Sequence, residues 1–187
     1  MSRPAQTKGI SFLHVRHYAD RRFGDAGWSK VLAQLDAADR ATVSATVAVG
    51  WYDLALYARL LRAFERAHGD GRFQLIAESG TYQAERDLNV VFRILLRLGT
   101  PAYVVDKTAE YWSRFHTSGT WKIERRTPNC VYGWLADWGV VDAVLCAELA
   151  AYIKRLIELV GGKDVAVAHP ECRVKGHRAC LYTLTWK

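Results

Sequence analysis

No stretch of this 187-residue chain is apolar for long enough to cross a bilayer. Arg93 and Arg97 interrupt one of its most hydrophobic runs, and Asp142, Glu148 and Lys154 interrupt another. The opening residues, Met1 to Gly9, lack the apolar core of a secretory signal, so a cytoplasmic protein is expected. In that setting four cysteines argue for reduced thiols, buried or metal-bound, over a disulfide framework. Repeats, linkers and low-complexity segments are missing. So are a nucleophile elbow, a phosphate-binding glycine loop, the paired histidines of a zinc-protease helix and any flavin or nicotinamide motif. Gly69-x-Gly71 only closes a helix. No catalytic residue is assigned, and a non-catalytic protein is expected.

Basic residues do not cluster either. The net charge is +7, yet Arg21-Arg22 and Arg125-Arg126 are isolated pairs and the other cations are spread along polar faces. A nucleic-acid footprint would gather on one element, so a solvated basic surface is the better reading. With half the residues hydrophobic and 24% charged, the composition is globular. Residues 1–187 are read as one domain with a core that needs no metal to exist.

The periodicities predict an α+β fold. A short strand is expected over 9–14 and an amphipathic helix over 25–35, from Trp28, Val31, Leu32 and Leu35. Asp53 caps a helix carrying Leu54, Tyr57, Leu61 and Phe64. Leu88, Val91, Phe92, Leu95 and Leu96 mark another, ending at Gly99-Thr100-Pro101, and 102–116 a further one. The period then changes to two, giving strands near 121–124 and 130–136. A long helix over 139–160 and strands near 164–169 and 179–186 complete the chain. The order is a helical N-terminal half and then β-β-α-β-β, an antiparallel sheet covered by helices on one face.

Two constellations stand out. Cys146 is followed after 22 residues by His169, after two more by Cys172 and after seven more by Cys180. Three soft sulfurs and one imidazole suit a closed, four-coordinate zinc site, with no position left for an activated water. Cys130 could stand in for Cys146, or Glu171 for His169. Buried thiols with a hydrogen-bonded core histidine are the bland alternative. His177 belongs to the solvent or to the surroundings of the site.

The second constellation is aromatic. Seven Trp, nine Tyr and six Phe are more than one face of a small sheet needs. Trp112, Phe115, His116, Trp121, Tyr132 and Trp134 are the candidate walls of an apolar ligand pocket, with His116 as a polar anchor. Ordinary core packing and a homodimer interface would use the same rings.

The run Glu171-Cys172-x-x-x-Gly176-His177-Arg178-x-Cys180, with its spacing to Cys146 and His169, resembles the zinc-bearing region of the vinyl-reductase-like domain superfamily. That group includes the aromatic-sensing domains of phenol- and xylene-responsive activators, and the order of elements resembles its stand-alone myxobacterial-type paralogues. The family's second ligand is acidic, where this chain has His169. The resemblance implies the α+β sandwich of Golgi transport-particle subunits. It also implies bound zinc, a small hydrophobic aromatic or acyl ligand, and a sensor or adaptor role through a homodimer or protein partner. An accessory role in tetrapyrrole vinyl reduction is one alternative it carries; a nucleic-acid-binding or purely scaffolding module is another.

Overall fold

The computed structural model describes residues 4–90 and 100–187. The chain is α+β, with a helical N-terminal half. Strand β1 (Gln6–Lys8) leads directly into α1 (Gly9–Ala33), so the strand expected over 9–14 is helix instead. Phe12, Val15 and Ala19 recur at helical spacing and are buried. Gly24 then takes φ 69° and kinks α1, so the stripe of Phe12, Val15 and Ala19 does not run on in phase into that of Trp28, Val31 and Leu32.

Helix α2 (Ala37–Ser44) is capped by Asp36, and β2 (Trp51–Asp53) pairs antiparallel with β1. Asp53 then accepts from the Ala55 amide and starts α3 (Leu54–His68), whose apolar stripe of Leu54, Leu60, Leu61 and Phe64 is fully buried. Next comes α4 (Gln74–Val90). Of the expected helical positions, Leu88 falls within α4, whereas Val91, Phe92, Leu95 and Leu96 lie outside the described residues.

Thr100 caps α5 (Pro101–Phe115) with Pro101 at its first position. The antiparallel hairpin β3 (Thr120–Thr127) and β4 (Cys130–Ala136) is followed by α6 (Ala143–Leu159), which Asp142 caps. The last strands, β5 (Ala166–Glu171) and β6 (Cys180–Thr185), flank a short 3-10 turn. The larger sheet runs β3-β4-β6-β5, all antiparallel.

Two approaches of backbone place the site. Helices α4 and α6 pack along each other, and a β-carbon at Gly80 would collide with the carbonyl of Glu148. Only glycine allows that distance, and it turns Gln83 and Asp87 toward α6. On β4, Gly133 leaves room for the Trp121 indole lying across it. An isolated bridge from Thr7 to His116 holds the end of α5 against β1. No described helix is long and apolar enough to cross a membrane.

Candidate functional site

Helices α5 and α6 present matching stripes to one another. Val104, Thr108, Tyr111, Trp112 and Phe115 recur at helical spacing on α5, and Leu149, Ile153 and Leu156 do so on α6. Between them lies a cavity of about 130 Å³. Trp121 from β3, and Trp138 beyond β4, close it on the sheet side.

The rings are anchored. Trp121 Nε1 donates to Thr108 Oγ1 at 2.8 Å, and Trp112 Nε1 donates to the Ser118 carbonyl at 3.0 Å. Trp112 meets Trp138 edge-on with centroids 5.4 Å apart. His116 sits in this aromatic nest, where burial pushes its pKa down to about 3 and its Nδ1 has no partner. A neutral imidazole is the result.

At the far end the lining turns polar. Tyr57 Oη donates to Glu148 Oε1 at 2.6 Å, and Gln83 Nε2 donates to the same oxygen. Tyr152 Oη donates to Asp87 Oδ2 at 3.0 Å. Burial raises the Glu148 carboxyl to about 8 and the Asp87 carboxyl to about 7. His14 Nδ1 lies 3.6 Å from Asp87, but burial, helped by His17 and Arg86, lowers its pKa to about 4. That contact therefore joins two neutral groups at pH 7 rather than an ion pair.

Of the six aromatic candidates, the structure brings Trp112, Phe115, His116 and Trp121 to the cavity. Tyr132 and Trp134 are placed elsewhere. They share the outer face of β4 with Cys130, while Val131, Gly133 and Leu135 point inward. Arg126 lies over the Tyr132 ring, and Trp134 Nε1 reaches toward Glu124. Trp138, from the same aromatic-rich stretch, and Tyr57, expected on the apolar side of its helix, also reach the cavity, whereas Gln83, Asp87, Glu148 and Tyr152 escaped the sequence reading as its polar floor. Glu148 left a signal there: it is the one charged residue in the otherwise apolar run from Ala143 to Ile153.

The thiols meet elsewhere. Cys146 Sγ lies 3.8 Å from Cys172 Sγ and 4.0 Å from Cys180 Sγ, and with His169 all four donor atoms fall within 4.8 Å of one another. His169 Nε2 is buried without a partner. Hydrogen bonding to Cys146, and then the nearby His169 and Arg173 amide, hold the Cys180 thiol below its ordinary range, while the same hydrogen bond, burial and the Cys180 charge push Cys146 up. Cys130 and Glu171 stand outside this group. The isolated basic pair is tied up, Arg125 with Asp106 and Arg126 with Glu124.

Neither a family model nor a curated protein matches the sequence. Solved structures do. The iron(II) unliganded H-NOX protein from K. algicida superposes with a TM-score of 0.74 over 96% of both chains at 10% identity. The S. oneidensis H-NOX protein, solved with iron(II) and nitric oxide, gives 0.74 over 96% of this chain and 99% of that one at 13% identity. An oxygen-binding H-NOX domain related to soluble guanylate cyclases gives 0.69 over 96% and 95% at 9% identity.

The fold is that of H-NOX domains. This overturns the vinyl-reductase-like assignment, which rested on a helix-to-hairpin spacing of Cys and His. Such a spacing reports a local clasp and leaves the rest of the architecture open. The expectation of zinc as cofactor falls with it, since the metal with which these H-NOX neighbours were solved is iron(II).

Proposed function

We propose that this chain is a ligand-binding sensor domain on the H-NOX fold, taking one ring-sized molecule between α5 and α6. The observation that carries this reading is the half-open cavity of about 130 Å³ walled by Trp112, Trp121 and Trp138. An engineered apolar cavity of ~150 Å³ takes up benzene. Enclosing one ring removes roughly 150 Å² or more of apolar surface, about 4 kcal/mol at ~25 cal/mol/Å², so weak to micromolar binding follows once ordering costs are met. Rotation of α5 or α6 on binding would pass the signal to a protein partner.

H-NOX stands for haem-nitric oxide/oxygen binding, and haem does not fit the described residues of this chain. His116 would be the residue to offer haem iron a neutral imidazole. The space beside it, however, is that of a single ring and not of a four-pyrrole macrocycle. Two carboxyls without a basic partner among the described residues close its far end, where propionates would ask for cations. Lys107, at the cavity, already pairs with Glu110 at 2.6 Å.

Toluene, benzyl alcohol and phenol should each quench tryptophan emission and raise the melting temperature with concentration. Haemin should add no sharp absorption band near one equivalent. Stoichiometric haem uptake, or silence from every single-ring probe, overturns the reading.

For the thiol group we propose a structural role. Cys146, His169, Cys172 and Cys180 tie the start of α6 to the β5–β6 hairpin, their donor atoms close enough to ligate a single ion. Counting metal per chain by mass spectrometry tests the ligation.

A further inference from the structure

Glu148 and Asp87 are each more than nine-tenths buried, at 7% and 6% exposure, and both line the cavity. Among the described residues neither pairs with a lysine or arginine. Each carboxyl is served by neutral donors: Tyr57 and Gln83 for Glu148, Tyr152 for Asp87. A core that only needed filling would place apolar side chains here, because a buried carboxyl costs several kcal/mol unless something compensates it. Tyr111, Trp112, Trp121 and Trp138 surround the rest of the space, and the faces of such rings attract cations.

We infer that the ligand is a protonated amine carried on a small apolar body, its ammonium held by Glu148 and Asp87 and its body by the indoles. The inference rests on the ligand-pocket reading above and names the ligand class. Among the described residues, the other charged and titratable groups that line the cavity or bond to the carboxyls do not compete. His14 from α1 is neutral; Tyr57 from α3 and Tyr152 from α6 are phenols raised well above their ordinary range by burial. Lys107 on α5 is paired with Glu110, and His116 at its end is neutral.

Binding such a cation requires the carboxyls to ionise. Burial keeps Glu148 protonated up to about 8 and Asp87 up to about 7, so amine binding at pH 7 releases protons and tightens as pH rises. An alkylammonium keeps its own proton to about pH 10, as lysine does.

Benzylammonium, benzyl alcohol, toluene and benzoate, titrated by calorimetry and tryptophan quenching at pH 6 and pH 8.5, test this. Benzylammonium should bind at least about tenfold more tightly at pH 8.5 than at pH 6, and about tenfold more tightly than benzyl alcohol at pH 8.5. Titration in two buffers of different ionisation enthalpy should show proton release near pH 7. The isosteric Glu148→Gln and Asp87→Asn changes should erase the preference while benzyl alcohol still binds; the wild-type pH dependence stands as a test should either variant fail to fold. Equal affinity for benzylammonium and benzyl alcohol at both pH values overturns the amine and leaves the pocket. Binding by none of the aromatic probes overturns both.

Discussion

The imidazole of His169 lies flat on the phenol ring of Tyr182, with centroids 4.3 Å apart and planes 6° from parallel. The edge of Tyr182 in turn meets Trp121, at 5.7 Å and 65°. Three rings in contact therefore run from the thiol group to the cavity wall, and the middle one is fully buried.

Replacing Tyr182 by Leu should break that run. The lost ring contacts and the space left behind should cost about 2–4 kcal/mol of unfolding free energy, read from urea melts. Quenching of tryptophan emission by benzyl alcohol should weaken in the same variant, because Trp121 loses the ring that fixes it.

Gly80→Ala should destabilise the chain although alanine is the better helix former. The propensity gain is at most about 1 kcal/mol, whereas forcing α4 and α6 apart costs roughly 1–3 kcal/mol and disturbs the Gln83–Glu148 hydrogen bond as well. A lowered urea midpoint together with weaker ligand binding is the expected pair of results.

Asp87 and Glu148 should withdraw stability on the alkaline side of neutrality in the ligand-free protein. Unfolded carboxyls lose their protons near pH 4, whereas folded Asp87 and Glu148 keep theirs to about 7 and about 8. Over that window the folded state holds more protons, so rising pH favours unfolding. His14 and His116 work in the opposite sense, since folding lowers them to about 4 and about 3, and their contribution grows as pH rises toward about 6.5. The two pairs largely offset one another below that pH, and above it the Cys180 thiol, also held below its ordinary value, opposes the carboxyls. The carboxyls themselves should withdraw on the order of 2 kcal/mol between about pH 6.5 and pH 8, so the wild type should lose that much relative to the Glu148→Gln, Asp87→Asn double variant that lacks them. Denaturant melts of both proteins at half-unit steps check this.

The four cysteines should separate in two classes. Cys130, half-buried at the start of β4, should react first with a maleimide, and Cys130→Ser should change stability by less than about 0.5 kcal/mol. Cys146→Ser puts a hydroxyl among buried sulfurs and should cost about 1–3 kcal/mol. Mass-resolved labelling and urea melts distinguish the two.

Much of the architecture is legible in the sequence because its periods are clean. Asp53 before Leu54, Tyr57, Leu61 and Phe64 announces α3, and the alternation at Trp121 and Ile123 marks β3; Thr100-Pro101, read as the end of the preceding helix, proves to be the cap and first turn of α5. The kink at Gly24 conceals α1, since a left-handed residue inside a helix resets the phase of its apolar stripe. The aromatic wall shows in composition, but Tyr132 and Trp134 could be excluded only by the pleat of β4, which sends them opposite Val131 and Leu135. The polar floor is hidden for another reason. Tyr57, Asp87 and Glu148 come from three helices, and each alone reads as one polar residue on its own stripe.

The acid end of the chamber is positioned by main chain, through the contact at Gly80, while the opposite end is defined by interchangeable rings. Depth is thus a property of the architecture and breadth a property of composition. A set of proteins sharing this backbone can retain one taste for a headgroup and diverge in the body they admit by exchanging Trp112 or Trp121 for smaller residues. The same division tells a designer where to cut. Room for a longer amine is gained from α5 and β3, and attempts to enlarge the chamber from α4 meet a carbonyl that no side-chain trimming can move.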